Sequence, residues 1–410
     1  MPFAAALSEH PLATHATGEV IGSLLEQIGP EPDVVAVFVT GAHLGALDDI
    51  CAAVRATLAP STLIGVTAVS VVGGAREVEE QAAVSAWAGR VAPATPVRIE
   101  ARPLVEGELD GEPRGPVDGS GHDELVGFVG LPEEAGRPGS TLVLLAEPTS
   151  FPLTAFLDAA ADQLPALRVV GGVASAVAAP GANRLALDGA VHTDGAVGVL
   201  LGPEWPVSSV VSQGCRPIGD PFTVTRAERS MIYEIAGTPA LTKLQEVVEA
   251  VPPRDRALAR TGLHLGRVID HRTLDPDRGD FLIRNLRGAD PDVGALAVAD
   301  EVDVGTTVQF QVRDAESADE DLRVLLAGAA ASSALVFTCN GRGMRLFGEP
   351  DHDAALVSDV VGPAVAGMFC AGEIGPIGTR SFLHGFSASI ALFSDPPAGA
   401  GPDRGVTPVG

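Results

Sequence analysis

The sequence predicts an α/β fold of two related halves, each built on strand-helix-strand units with added antiparallel β segments, so that mixed sheets are flanked by helices. Three observations predict it. A short apolar run, a segment of helical period and a second apolar run occur in that order at 33–66, 141–172 and 335–370. In each copy the second run carries a glycine, Gly65, Gly172 and Gly367, which follows Val37, Leu144 and Phe337 by 28, 28 and 30 residues. After each second run comes a further β segment, at 82–88, 184–201 and 386–393.

Taken in order, Val20, Ile21, Leu24, Leu25 and Ile28 share one helical face, and Gly29-Pro30 ends that helix, giving an N-terminal element over 1–32. The first unit follows as strand 33–39, helix 44–58 and strand 62–66. Residues 104–138 are rich in Gly, Pro, Asp and Glu and read as a mobile surface excursion. The second unit is strand 141–146, a helix opening at Pro152 and running to Leu164, and strand 168–172. The β segment after it turns at Thr193-Asp194-Gly195. These parts form an N-terminal domain over 33–220, and 208–224 crosses to a C-terminal domain over 221–393. There, 227–249 shows two helical runs split by Gly237-Thr238-Pro239, 281–286 and 306–313 alternate as strands, and 316–327 is helical. The tail 394–410 has too little apolar content to fold.

With 27 Lys plus Arg against 53 Asp plus Glu, the formal charge is −26, which repels phosphate backbones and anionic lipid and excludes nucleic acid and membrane surfaces as partners. No window approaches the ~20 apolar residues of a membrane helix, and the N-terminus lacks a secretory pattern. Four widely spaced cysteines without a CxxC suit reduced thiols in a cytoplasm. Walker, dinucleotide-binding and HExxH motifs are absent. Gly385-Phe386-Ser387-Ala388-Ser389 lacks the second glycine of a nucleophile elbow, and Ser387 reads as a strand serine.

The third copy concentrates the chemistry. Its first strand ends at Cys339 and opens into Asn340-Gly341-Arg342-Gly343; Asp351 is placed to N-cap the next helix, with Asp353 in its first turn. Its second strand ends at Cys370, before Gly372 and Glu373, with Arg380 and His384 beyond. Polar groups after the carboxyl ends of parallel strands meet over a common crevice, so Asn340, Arg342, Cys370, Glu373, Arg380 and His384 are expected to converge. An arginine on a glycine loop suits carboxylate binding, while Arg342 and Arg380 can equally pair with Asp353 or Glu373. Asp351, His352, Asp353, Glu373 and His384 are metal-ligand types, but neighbours at a helix start point apart, and capping is the preferred role. Cys339 and Cys370, at equivalent strand ends, are a redox pair or small buried hydrophobes.

The segments CNGRG, LFGEPDHD and FCAGEIGPIGTRSFLHGFSASIALF closely resemble the C-terminal half of the FIST family (F-box and intracellular signal transduction domains). QGCRPIG at 213–219 resembles the join of that family's halves, and FQVRDA at 310–315 a strand of its C-terminal half. The resemblance covers about 33–393. It implies a sensory module for a small ligand, with amino acids proposed as ligands and haem in a minority of members, for which His384 is the axial candidate. The expectation is therefore a cytoplasmic receptor for an amino acid or related small carboxylate that signals through a separate protein, with no cofactor. Its candidate ligand contacts are Asn340, Gly341, Arg342, Gly343, Asp351, Cys370, Gly372, Glu373, Arg380 and His384. The competing classes are an enzyme using Cys370, Glu373 and His384, a haem sensor, and a protein-binding scaffold.

Overall fold

A computed structural model describes residues 2–102, 127–270, 273, 276 and 279–395. The chain runs through three repeats. The first is β1 (Phe3–Ser8), α1 (Ala13–Ile28), β2 (Val34–Thr40), α2 (Leu47–Leu58), β3 (Thr62–Ala68), a hairpin of β4 (Ser70–Gly73) and β5 (Arg76–Glu79), and β6 (Val84–Gly89). The second is β7 (Ala94–Ala101), β8 (Phe128–Val129), β9 (Thr141–Ala146), α3 (Leu153–Gln163), β10 (Arg168–Val173), a hairpin of β11 (Leu185–Leu187) and β12 (Ala190–His192), and β13 (Ala196–Leu201).

The third repeat opens with β14 (Val207–Gln213) and is then interrupted by an inserted sheet. The insert comprises β15 (Cys215–Glu228), β16 (Met231–Ile235), β17 (Thr238–Pro239), α4 (Ala240–Ala250), α5 (Pro253–Thr261), β18 (Leu263–Val268), β19 (Phe281–Asp290), β20 (Ala295–Val298) and β21 (Thr307–Arg313). The repeat resumes with α6 (Ala315–Leu326), β22 (Ser333–Cys339), α7 (Met344–Phe347), α8 (His352–Val361), β23 (Val365–Cys370), a hairpin of β24 (Glu373–Ile377) and β25 (Arg380–His384), and β26 (Ser387–Phe393).

In every repeat the two inner strands pair in parallel, β2 with β3, β9 with β10 and β22 with β23, and the last strand pairs antiparallel with the first of them. The hairpins do not stay at home. β4 of the first repeat pairs with β23 of the third, β24 of the third with β10 of the second, and β11 of the second with β3 of the first. Each of these three sheets is therefore completed by a neighbouring repeat, and in one of them strands from the first and third repeats lie side by side.

Alternation along the inner strands explains their unbroken apolar sequences. Phe38, Leu145 and Phe337 enter one common core with Phe3, Trp87, Trp205 and Phe393, whereas their strand neighbours Val37, Leu144 and Val336 pack against the outer helices. Both faces are covered, so the few polar side chains on these strands, such as Ser333 and Thr338, are buried and hydrogen-bonded. The glycines sit where these ladders come closest. Gly65, Gly171 and Gly367 stand opposite Val37, Leu144 and Val336, so the second copy's equivalent is Gly171 and the third pairs with Val336. A Cβ at Gly367 would collide with the Val336 carbonyl oxygen, a backbone atom held in the sheet. Gly367→Ala is expected to lower unfolding free energy by about 1–3 kcal/mol, read as a reduced urea midpoint.

Several local expectations change. β1 precedes the N-terminal helix and pairs with β6. The segment 227–236, of helical period, is strand instead, because β16 completes the inserted sheet between β15 and β20. The 184–201 segment turns at Asp188-Gly189, while β12 and β13 enter different sheets. Of the excursion, residues 103–126 lie outside the described residues; Phe128, Leu131 and Ala135 are buried in the second repeat. The tail from 396 also lies outside them.

Candidate functional site

The β22 end sets the geometry of the third repeat's glycine loop. Asn340 N–H donates to the Cys370 carbonyl, Gly341 N–H to the Cys339 sulfur at 3.4 Å, and Arg342 N–H to the Cys339 carbonyl, which folds the loop back over the strand ends. Arg342 consequently points inward and is 1% exposed. Its Nε and Nη2 donate to both oxygens of Asp353 at 2.6 and 2.8 Å, and Asp353 also accepts from Thr338 Oγ1 at 2.8 Å. Burial acts to raise the Asp353 pKa, but the Arg342 charge and these donors outweigh it and hold the carboxyl well below its ordinary range. Of the two pairings open to Arg342, the structure adopts the one with Asp353. Its Nη1 is left buried without a partner.

Asp351 does not cap α8 with its side chain. It adopts a left-handed backbone conformation, φ 67°, and its Oδ1 accepts from Glu77 N–H at 2.6 Å in the first repeat's hairpin. That hairpin supplies the missing acceptor, since Glu77 Oε1 takes the Ala354 N–H at 3.1 Å. Gly343 opens α7, where Met344 N–H donates to Glu79.

Glu373 is fully buried, and burial pushes its pKa up to about 8. Its Oε2 accepts from Ser387 N–H and Oγ at 3.2 and 2.8 Å, while Oε1 is buried and reaches no partner of hydrogen-bond geometry, although the Cys339 thiol, a weak donor, lies beside the carboxyl. Cys339 and Cys370 are register partners on β22 and β23; burial drives both thiols upward, so they are not thiolates. The Gly372 carbonyl accepts from Val173 N–H and ties the strand end to the second repeat.

Two of the expected residues do not join this cluster. Arg380 lies at the far end of the β24–β25 hairpin, paired in the ladder with Ile377, whereas Glu373 pairs with His384. Four residues of strand separate them, roughly 13 Å. Arg380 instead meets Asp158 of α3 at 3.3 Å, with both side chains about half exposed. His384 sits beside Glu373 in the ladder but turns its Nε2 to the Gly375 carbonyl at 2.9 Å, and burial pulls its pKa down to about 4. Cys370, Glu373 and His384 thus hydrogen-bond elsewhere and assemble no nucleophile-base pair. Neither does a haem fit these histidines: His384 Nε2 is on a carbonyl, and His352 has both ring nitrogens on Asp319 and Asp353. Among the described residues there is no metal-ligand cluster of three or more His, Cys, Asp or Glu.

The cluster has an opposite wall that sequence reasoning missed, the polar face of the inserted sheet. Gln311 and Arg313 of β21 and His264 of β18 lie on one side of it, facing Phe386 and the glycine loop. The His264 ring centroid is 4.2 Å from that of Phe386, and the Arg313 guanidinium is 5.1 Å from it. Arg313 Nη2 donates to the Gly341 carbonyl, and Gly214 N–H to the Phe386 carbonyl. Gly214 keeps this wall close, since a Cβ there would crowd Arg342 Nη1 and collide with the Phe386 carbonyl. His264 is 5% exposed and its pKa is pulled down to about 4 by burial and then by Arg313. Asn285 lies across the ladder, yet neither ring nitrogen reaches a hydrogen bond of ordinary geometry. Gln311 Nε2 and Arg313 Nε are likewise buried without partners. Arg313 has no carboxylate partner among the described residues, so it is the one uncompensated charge of this junction. The signal for this wall was Gln309, Gln311 and Arg313 alternating with Val308, Phe310 and Val312, a pattern that reads as a solvated face until something covers it.

The fold and this junction define an α/β protein of three hairpin-exchanging repeats with an antiparallel sheet inserted over the third. The chain belongs to the FIST family: the FIST N domain matches residues 33–238 and the FIST C domain 240–376, the two meeting inside the inserted sheet. FIST domains are sensory domains of signal transduction. The chain is 40% identical over 397 residues to "Uncharacterized protein Rv0628c" of Mycobacterium tuberculosis (strain ATCC 25618 / H37Rv), covering 95% of this chain and 98% of that protein. It is 39% identical over 393 residues to "Uncharacterized protein Mb0898c" of Mycobacterium bovis, covering 94% and 97%. Among the described residues no helix is long and apolar enough to cross a membrane.

Proposed function

We propose that the protein is a sensory receptor for a small carboxylate of the amino-acid type, bound between the third repeat's strand ends and the inserted sheet, and that it passes binding to a separate protein. The observation that carries this reading is the set of buried polar atoms without partners on both walls. Arg313 Nε, Arg342 Nη1 and Gln311 Nε2 are donors, and Glu373 Oε1 and His264 complement them. Buried groups of this kind call for a partner that the chain itself does not provide. The uncompensated Arg313 suits the carboxylate, and Glu373 with neutral His264 suits an ammonium or hydroxyl group. Arg313 therefore takes the part expected of Arg342 or Arg380.

Mass spectrometry of small molecules retained by gently purified protein identifies the ligand class, and calorimetric titration of amino and organic acids tests the contacts. Arg313→Gln is expected to weaken binding roughly ten- to hundredfold, the worth of one charge-assisted contact, while the melting temperature stays near that of the wild type. Undiminished binding in Arg313→Gln and His264→Ala would remove this junction from consideration.

A further inference from the structure

A cleft of about 620 Å³ opens between the start of α3 and the inserted sheet and shares no lining residue with the junction above. Arg267 of β18 and Arg287 of β19 line one side, and Thr154 and Asp158 of α3 the other. Most of the carboxylates around it are already answered. Asp300 lies 2.8 Å from Arg284 Nε and 3.3 Å from Arg267 Nε, so two guanidinium groups share one carboxylate, and Asp158 has Arg380. Arg287 is exposed and has no carboxylate partner among the described residues. The first turn of α3 adds no acidic residue and no side-chain cap at Pro152. Counting Arg284 and Arg380, which pair with its carboxylates from behind, the cleft sets four arginines against Asp158, Asp300 and Glu301, an excess of one positive charge in a chain of net charge −26.

The remaining lining has a different character. Ser230 presents a hydroxyl and Glu301 a carboxylate, groups that hydrogen-bond to hydroxyls. The volume suits an organic molecule far better than a bare ion. We propose that this cleft binds a small hydroxylated organic anion, its carboxylate or phosphate held by Arg287 and Arg267 and its hydroxyls by Ser230 and Glu301. Because one wall is the second repeat and the other the inserted sheet, the occupant bridges the two.

Calorimetric titration with glucose 6-phosphate and gluconate, which share a hydroxylated chain and differ in the anionic head, tests the proposal, with glucose as the neutral control. At least one of the two anions is expected to bind, and glucose is not; the tighter head group distinguishes a phosphate ester from a carboxylate source. Arg287→Ala should weaken that binding roughly ten- to hundredfold with an unchanged melting temperature. Arg345→Ala, which removes an exposed arginine elsewhere, and Arg313→Gln, which alters the junction, should leave it unchanged. The proposal is overturned if neither anion binds, if glucose binds as well as they do, or if Arg287→Ala binds like the wild type.

Discussion

Arg342→Ala is expected to lower unfolding free energy by about 3–5 kcal/mol, the range for removing one partner of a buried ion pair. Asp353 is 1% exposed and remains buried after the substitution, with Thr338 and His352 as its only side-chain hydrogen-bond partners among the described residues. The buried Glu77 carboxyl nearby brings no relief, because burial and then the Asp353 charge keep it protonated, and Arg342 is a cation that eases that repulsion. The guanidinium also lies 5.2 Å from the Phe347 ring, a contact that is lost as well. Against a total stability on the order of 5–15 kcal/mol this is a large fraction. Arg342→Lys keeps the charge without the bidentate fork and should fall between. Removing both charges, Arg342→Met with Asp353→Leu, should recover most of the loss, since the damage comes from the stranded carboxylate. Chemical denaturation of the four proteins measures this; an Arg342→Ala variant within 1 kcal/mol of the wild type would contradict the buried-pair account.

Stability should also fall as the pH rises from about 6.5 to 8. Glu373 and Glu77 are buried, and burial raises each from an ordinary 4.5 to about 8. The folded state keeps a proton that the unfolded state releases, so each contributes stability that is full below pH 4.5 and lost as pH rises through 8. Histidines work against them at lower pH. His264 and His384 are pulled down to about 4, so their contribution is present above 6.5 and lost as pH falls through 4, and His192 is shifted in the same direction. Asp353 acts only in stronger acid. Between 6.5 and 8 the glutamates act without that opposition, at a ceiling of about 1.4 kcal/mol per pH unit each, or about 2 kcal/mol per group across the window. Glu373→Gln mimics the protonated carboxyl and should remove its share of the slope. Urea unfolding at pH 6.5, 7.2 and 8.0 decides it. A wild-type stability that is level or rising over this range would mean the two carboxyls ionise normally.

How much of the site was legible depended on the distance between partners along the chain. The loop 340–343, Asp353 in the first turn of α8 and the Cys339/Cys370 strand ends follow from local pattern, and Asp353 is one of the two partners that pattern left open for Arg342. The capping role assigned to Asp351 went instead to Glu77, 277 residues from the N–H it accepts. Arg380 looked equivalent to Arg342 because both stand among glycines, yet the hairpin carrying Arg380 leaves the third repeat to pair with β10. Arg313 was passed over because a polar residue alternating along a strand looks the same whether water or another wall covers it.

The sequence by itself determined the three strand-helix-strand units, since their periods and their doubly apolar strands are properties of neighbouring residues. It also determined the acidic surface and the family. Only the tertiary structure decided which sheet each hairpin joins, which carboxylate neutralises Arg342, and that the polar face of the inserted sheet closes over the strand ends. Those outcomes rest on register between strands far apart in the chain. A hairpin's own residues satisfy their backbone hydrogen bonds equally well against any free sheet edge, so the choice is made by the packing of the whole core, which no local stretch encodes.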